Sequence, residues 1–313
     1  MAGPDVLMIG PYPEWDMGDL EARYSVHKLY EASDKDAAVA SIGQKIRAIA
    51  TRGELGARAD LMAKLPNLEI ISVYGVGTDG VDLAYARGRN IAVTNTPDVL
   101  TEDVADLGVG LMLAASRSIV AGDAHVRQNR WSAGNLGLGT RLHGKRVGIV
   151  GMGRIGSALA RRLEGFGCPI GYFNRTQKPA GSYRFFASLP ELAGWADYLV
   201  VTIAGGEGTR DLIGGDTLAA LGPDGIFINL SRGTTVDEEA LIAALRGGAI
   251  RAAGLDVFKN EPRIDPRFLA LDNVVLQPHH GSGTVETRKA MGQLVRDNLA
   301  AHFAGAPLLT PVE

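Results

Sequence analysis

The chain is short of several things at once, and each shortage removes a class of function. It has one cysteine in 313 residues, Cys168. A lone thiol forms no intrachain disulfide and builds no cysteine-rich metal site, which fits a reducing compartment and predicts a cytoplasmic protein. It has little net charge: 32 basic against 35 acidic residues leave -3. That balance gives no electrostatic footprint for nucleic acid. It has no long hydrophobic run. The longest apolar patch, 104–115, is interrupted by Asp106 and is too short to span a bilayer, so no membrane partner is expected. Its first residues, Met1-Ala2-Gly3-Pro4-Asp5, lack the basic start and apolar core of a secretion signal. No short tandem repeat is present. The composition, 46% hydrophobic and 21% charged, suits a globular chain long enough for two domains with their own cores.

What is present is organised around residues 146–156. A short apolar run, 147–150, reads as a buried strand and passes directly into Gly151-x-Gly153-x-x-Gly156. An amphipathic helical pattern follows through Leu159, Leu163 and Phe166. That order turns a weak glycine motif into a dinucleotide fingerprint. Gly151 allows the tight turn, Gly153 lets backbone approach a pyrophosphate, and Gly156 lets helix and strand pack closely. The pyrophosphate then meets unsatisfied N–H groups at the positive end of a helix, around Arg154 and Ile155.

Before this motif, apolar runs at 6–9, 46–50, 69–73 and 91–94 read as strands, and 55–65 has helical spacing that stops at Pro66-Asn67. Strands separated by helical patterns imply βαβ units and a parallel sheet. Asn95-Thr96-Pro97-Asp98 is a turn, and Thr101 is expected to cap a helix running to about Arg117. That helix is apolar nearly all round and carries Gly108, Gly110, Ala114 and Ala115, which predicts burial at close backbone distance. Residues 134–139 form a glycine-rich loop. After 147–150, strands are expected at 170–173, 198–203, 226–230, 253–257 and 274–277, with helices at 154–166 and 236–246. A last helix, 285–303, has no strand after it and is expected to cross back to the first domain.

In open α/β sheets ligands bind beyond the carboxyl ends of the strands. Those ends carry Thr202, Ser231-Arg232, Asp256 and Pro278-His279-His280, with Glu261 in a turn just after Asp256. An arginine, a carboxylate and a histidine on one rim make a substrate anchor and an acid–base pair. Singly, each has a plainer reading: a cap for Arg232, a solvated turn for Glu261, a structural role for His279. Consecutive side chains in an extended segment point opposite ways, so at most one of His279 and His280 faces a substrate, and His280 is taken as structural.

These motifs together resemble the D-isomer-specific 2-hydroxyacid dehydrogenases. The likeness rests on 151–156, 229–233, 254–258, 260–262 and 278–282, and on Gly75-Val76-Gly77-Thr78-Asp79-Gly80-Val81-Asp82, similar to the family's substrate loop. Residues 95–101 and 281–288 look most like the glyoxylate/hydroxypyruvate and hydroxyphenylpyruvate reductases. The chain stops at Glu313 without the regulatory extension that phosphoglycerate dehydrogenases often carry. The resemblance implies an α/β architecture of two Rossmann-like or flavodoxin-like domains with parallel sheets and the active-site cleft between them. Residues 1–98 with 286–313 become the substrate-binding domain, and 99–285 the dinucleotide-binding domain with its dimerisation arm. It makes Arg232 the anchor for a 2-oxo acid, His279 the proton donor and Glu261 its partner. It assigns the substrate carboxylate to the backbone of Val76 and Gly77. A formate dehydrogenase of the same fold would carry glutamine where Glu261 stands. Asp79 and Asp82 read as turn and cap residues, and no metal is expected.

Cofactor contacts are expected from Gly151, Gly153, Arg154, Ile155, Gly156, Thr202, Leu230, Asp256 and Gly281, and from the segment after the second strand. There an acidic residue normally binds the ribose 2′-hydroxyl. This chain has Asn174, Arg175 and Thr176 instead, with Lys178 close by. No carboxylate repels a 2′-phosphate and Arg175 offers it a forked donor, so NADPH is preferred over NADH. The alternative is a plain surface charge at Arg175. Substrate identity is less determined. Trp131 matches the first tryptophan of the reductases' dimer-arm loop, whereas the second, which shapes the pocket from a neighbouring subunit, is replaced by Gly134 or a neighbour. That loss opens the pocket to larger, including aromatic, 2-oxo acids. Arg52 follows the 46–50 run and either faces the substrate or serves the surface. The expected activity is NAD(P)H-dependent reduction of glyoxylate and hydroxypyruvate to D-2-hydroxy acids by a homodimer. The different-class alternative is a dinucleotide-sensing, co-repressor-like scaffold.

Overall fold

A computed structural model describes residues 3–179 and 181–312. They fall into two units, Met1–Leu100 with Ser282–Glu313, and Thr101–Gly281.

The first unit is built on β1 (Asp5–Met8), α1 (Glu14–Arg23), β2 (Ser25–Lys28), α2 (Lys35–Ile42), β3 (Ile46–Arg52), α3 (Ala59–Ala63), β4 (Ile70–Tyr74), α4 (Leu83–Gly88) and β5 (Ala92–Thr94). The strands pair in parallel in the order β2-β1-β3-β4-β5. The central strands β3 and β4 are buried almost throughout, as expected of strands covered on both faces. Leu7, Ile46, Ile49, Ile71 and Val73 anchor the core with Met62 and Leu65 from the connections. β2 has no apolar run and no buried residue. It is an edge strand, where polar side chains are tolerated on both faces, and pattern reading passes over it for that reason. The helix expected over 55–65 shrinks to Ala59–Ala63. Gly56 takes φ +59 against the backbone of Gly80, and Ala57 bridges Val81, so this segment is committed to loop pairing first. Asp82 caps α4 by accepting the Tyr85 N–H at 2.9 Å. The C-terminal helix, Val285–Phe303, belongs to this unit. It is pinned by the Tyr74 hydroxyl, which donates to the Arg288 carbonyl at 2.7 Å, and by an ion pair between buried Arg296 and Asp16 of α1.

The second unit opens with α5 (Thr101–Arg117) and α6 (Ile119–Arg127). Its sheet follows: β6 (Val147–Val150), α7 (Arg154–Glu164), β7 (Ile170–Phe173), β8 (Arg184–Phe186), α8 (Leu189–Trp195), β9 (Tyr198–Val201), α9 (Gly215–Leu221), β10 (Ile226–Asn229), α10 (Glu238–Arg246), β11 (Ala252–Leu255) and β12 (Val274–Leu276). All pairings are parallel, in the order β12-β11-β10-β9-β6-β7-β8. The order reverses at β6, and β6 and β9 flank the switch point where such sheets bind ligands. Two expectations about α5 are corrected. Thr101 is its first helical residue rather than its cap, and only one face is buried, through Val104, Ala105, Gly108, Leu111 and Met112. Gly108 permits the close packing, since a Cβ there would lie 2.7 Å from Leu230 Cδ1. Glu102 and Asp106 pair with Arg162 of α7 at 2.7 and 2.5 Å.

No single helix among the described residues is long and apolar enough to cross a membrane.

Candidate active site

The glycine turn joins β6 to α7, and its geometry explains its composition. Gly151 sits at φ +106, and a Cβ there would lie 2.8 Å from Ile203 Cγ2. A Cβ on Gly156 would lie 2.1 Å from the Gly151 carbonyl oxygen, a contact no side chain survives. Above Gly153 there is nothing within 4 Å, so the backbone face is open. Two neighbouring strand ends brace the turn. The Thr202 hydroxyl donates to the Gly151 carbonyl at 2.7 Å, and Asn174 Oδ1 accepts the Met152 N–H at 2.8 Å. No acidic residue occupies the first turn of α7, whose leading N–H groups have no intrahelical acceptor. Bare backbone and a helix start whose own first turn carries no acidic residue fit a dinucleotide pyrophosphate. Arg154 is exposed and Ile155 half-buried at this helix start, while Arg175 and Thr176 stand exposed beyond β7.

The loop after β10 is knitted by its own polar groups. Asn229 Oδ1 accepts the Ser231 N–H at 3.0 Å, and its Nδ2 donates to the Arg232 carbonyl at 3.1 Å. The Ser231 hydroxyl donates to the Ile203 carbonyl at 2.7 Å, and the Thr235 hydroxyl donates to the Arg232 carbonyl at 2.7 Å. Arg232 therefore leaves a rigid base, with Nη1 donating to the Ser231 carbonyl at 2.8 Å.

Glu261 and His279 meet. His279 Nδ1 lies 2.6 Å from Glu261 Oε2, and Glu261 Oε1 accepts the Phe258 N–H at 2.8 Å. Burial pushes the Glu261 carboxyl up, but the His279 bond and charge, the Phe258 N–H and the Arg232 charge outweigh it. The carboxyl is held below its ordinary value. His279 itself takes φ +53, and its N–H donates to the Asp256 carbonyl at 2.8 Å. The expectation of an extended His279-His280 segment is corrected here: the chain turns at His279. The side chain of His280 is exposed and its backbone N–H is bound to Asp256 Oδ1 at 2.6 Å, so it is no core residue.

Other expected contacts are distributed differently. Asp256 is buried, and its two carboxylate oxygens accept the N–H groups of His280 and Gly281 at 2.6 and 2.9 Å. Burial raises its carboxyl, against the pull of those N–H groups. Asp256 thus works as a clamp on the histidine turn. Leu230 and Gly281 are buried, with Leu230 packed on Gly108. In the first unit, Val76 is exposed, and its carbonyl accepts Asn95 Nδ2 at 2.8 Å. Arg52 Nε is 2.7 Å from Glu54 Oε1. Sequence reasoning missed Glu238. It is buried in α10, accepts the Lys259 N–H at 2.7 Å, and so holds the 258–261 turn from behind. Its one sequence signal is a glutamate just after the Asp237 cap, where any surface helix places one. No cluster of three or more His, Cys, Asp or Glu side chains placed to hold a metal occurs among the described residues.

Comparison with known proteins agrees with this geometry. Residues 109–281 match the model of the D-isomer specific 2-hydroxyacid dehydrogenase NAD-binding domain. The chain is 56% identical to a 2-hydroxyacid dehydrogenase from Ketogulonicigenium vulgare Y25, covering 100% of this chain and 99% of that one with a TM-score of 0.92. It is 47% identical over 98% of each chain to hydroxyphenylpyruvate reductase from Plectranthus scutellarioides. An NADPH-dependent glyoxylate/hydroxypyruvate reductase from Sinorhizobium meliloti, solved with NADP and malonate, is 40% identical over 99% of this chain and 97% of that one, with a TM-score of 0.92.

Proposed function

This chain belongs to the D-isomer-specific 2-hydroxyacid dehydrogenase family, and from that premise we propose that it is an NADPH-dependent reductase of small 2-oxo acids. Glyoxylate and hydroxypyruvate are the leading substrates, with the achiral glycolate and D-glycerate as their products. The observation that carries the reading is the Glu261–His279 contact of 2.6 Å, on a rim that also bears Arg232.

When bound, the reduced nicotinamide supplies a hydride to the carbonyl carbon. The protein's groups do the rest. Arg232 offers a forked donor to the carboxylate and carbonyl oxygens and so fixes the substrate's orientation. His279, with Nδ1 held by Glu261, presents Nε2–H as the acid for the oxygen on which negative charge develops. Glu261, ionised because its carboxyl is held low, is the negative partner of the ring in its charged form. The backbone N–H groups of Val76 and Gly77 have no hydrogen-bond partner among the described residues, which supports their assignment to the substrate carboxylate.

NADPH is favoured over NADH because Asn174, Arg175 and Thr176 follow β7 where a carboxylate would exclude a 2′-phosphate. The NADP held by the Sinorhizobium meliloti relative supports the same choice. A second reading, aromatic 2-oxo acids, is favoured by the open space around Gly134 and by the hydroxyphenylpyruvate reductase relative. A homodimer is favoured by the arm after α5. Ile119, Val120, Val126 and Trp131 are more than half exposed, and Leu138 is 99% exposed. Several large apolar side chains exposed on one short arm fit an interface. A cytoplasmic setting is supported by the single buried Cys168.

The test is NADPH oxidation followed by absorbance with glyoxylate or hydroxypyruvate, with D-glycerate identified as the product from the latter. Tight dinucleotide binding without turnover of any 2-oxo acid overturns the reading and favours the scaffold.

A further inference from the structure

We propose that Glu238 is a positioning residue for the proton transfer: by holding the Lys259 N–H it fixes the Phe258–Lys259 peptide, and through that peptide it aims the Glu261 carboxylate at His279. The inference rests on the reductase reading above and adds to it a residue outside the Arg232, Glu261 and His279 set.

Glu261 reaches His279 from a turn that belongs to no strand or helix. Such backbone has no ladder to hold it, so its N–H groups must find acceptors of their own. The Phe258 N–H donates to Glu261 Oε1 at 2.8 Å, and the following Lys259 N–H donates to Glu238 Oε1 at 2.7 Å. Neither N–H has a backbone acceptor among the described residues. Glu261 thus takes its direction from Phe258, and the Phe258–Lys259 peptide takes its direction from Glu238.

That peptide is also met from a second side. Gly233 is buried against it, and a Cβ there would lie 1.9 Å from the Phe258 carbonyl carbon and 2.2 Å from the Lys259 nitrogen. Gly233 follows Arg232 on the loop that Asn229, Ser231 and Thr235 make rigid. The glycine face blocks one direction of movement, and the bond to Glu238 sets the rotation of the peptide. The Lys259 side chain leaves on the outside, where Nζ meets Asp211 Oδ1 at 2.6 Å, a pair too exposed to fix the backbone.

Fold stability does not account for a glutamate here. α10 already has its cap, since Asp237 Oδ1 accepts the Ala240 N–H at 3.2 Å. Glu238 is 9% exposed, and burial pushes its carboxyl up further than the Lys259 N–H and charge pull it down. An ionised side chain held that way costs the fold free energy. What it returns is a strong acceptor for one N–H, on the turn that carries the carboxylate partner of the acid.

The test is steady-state kinetics of the whole protein with NADPH and glyoxylate for Glu238→Ala, Glu238→Met and Glu238→Gln, with NADPH affinity by fluorescence as the check on folding. Alanine removes the acceptor, methionine removes it while filling the volume, and glutamine keeps an oxygen for the Lys259 N–H. Alanine and methionine are each expected to lower kcat about tenfold, part of the roughly hundredfold or more that a general acid contributes, with KM and NADPH affinity within about twofold of the parent. Glutamine is expected to recover most of that loss. The alanine and methionine changes made on Glu261→Gln protein are expected to cost less than about threefold, because the carboxylate that Glu238 aims is gone. A kcat unmoved by both alanine and methionine, a loss confined to KM, no recovery with glutamine, or an equal loss on the two backgrounds overturns the inference and leaves the reductase reading standing. Absence of turnover with every 2-oxo acid in the parent protein overturns both.

Discussion

Replacing Glu261 by glutamine removes a charge and almost no volume. In the native site Oε1 accepts the Phe258 N–H at 2.8 Å and Oε2 contacts His279 Nδ1 at 2.6 Å. The amide oxygen of glutamine can keep only one of these. If it keeps Phe258, an amide N–H faces Nδ1, which must then accept, and the ring is fixed in its neutral form. Giving up the Nε2 proton would then leave an imidazolate. If the oxygen turns to His279, the Phe258 N–H loses its acceptor and the ring keeps a neutral partner in place of a charged one. Either way a charge-assisted bond of about 1.5–3 kcal/mol is lost. At 1.36 kcal/mol per tenfold, kcat should fall roughly 10- to 150-fold. NADPH affinity should hold, because the dinucleotide turn is built from Gly151, Gly156, Thr202 and Asn174. The variant also has a pH signature. The folded Glu261 carboxyl lies below its ordinary value. Its contribution to stability is present above that value and is lost as pH falls through the depressed one. Melting temperature measured from pH 7 to pH 3 should lose this acid-dependent component in the glutamine variant. Undiminished kcat together with an unchanged acid profile would refute the role given to Glu261.

Two further substitutions probe cofactor and substrate choice. Arg175→Ala should weaken NADPH about tenfold more than NADH in fluorescence titrations, since only the former brings a 2′-phosphate to a charge-assisted contact. Equal loss would show that Arg175 does not read the 2′-phosphate. Gly134→Trp should depress kcat/KM for phenylpyruvate more than for glyoxylate by steric exclusion. The protomer tolerates the change, because Gly134 has extended backbone and nothing within 4 Å of its Cβ direction. If that ratio does not move, the loop does not line the pocket.

The parallel α/β organisation is legible in the sequence because buried strands such as β6, β9 and β10 write themselves as unbroken apolar runs. The fingerprint is legible because Gly151 and Gly156 answer local steric demands that no other residue meets. Two of the four edge strands are another matter: β2 and β8 mix polar or charged residues into three or four positions, whereas β12, at the opposite rim from β8, is apolar throughout. The fine structure of the site depends on contacts between segments distant in sequence. Asp256 reads as a strand-end carboxylate open to ligand, yet the turn 24 residues later occupies it. Glu238 reads as a surface residue until the Lys259 turn folds over it. The left-handed backbone of His279 has no signal of its own, since histidine carries no conformational preference for it comparable to that of glycine.

The central claim is that His279 donates the proton in a reduction for which the dinucleotide site is already complete without it. It is tested most directly by His279→Ala, measured for kcat with glyoxylate and for NADPH affinity by fluorescence on the same preparation. The variant should lose at least about a hundredfold in kcat, the scale of a missing general acid, with NADPH affinity within about twofold of the parent protein. Retained turnover would contradict the assignment, and a parallel collapse of NADPH binding would show that His279 supports the fold or the cofactor site instead.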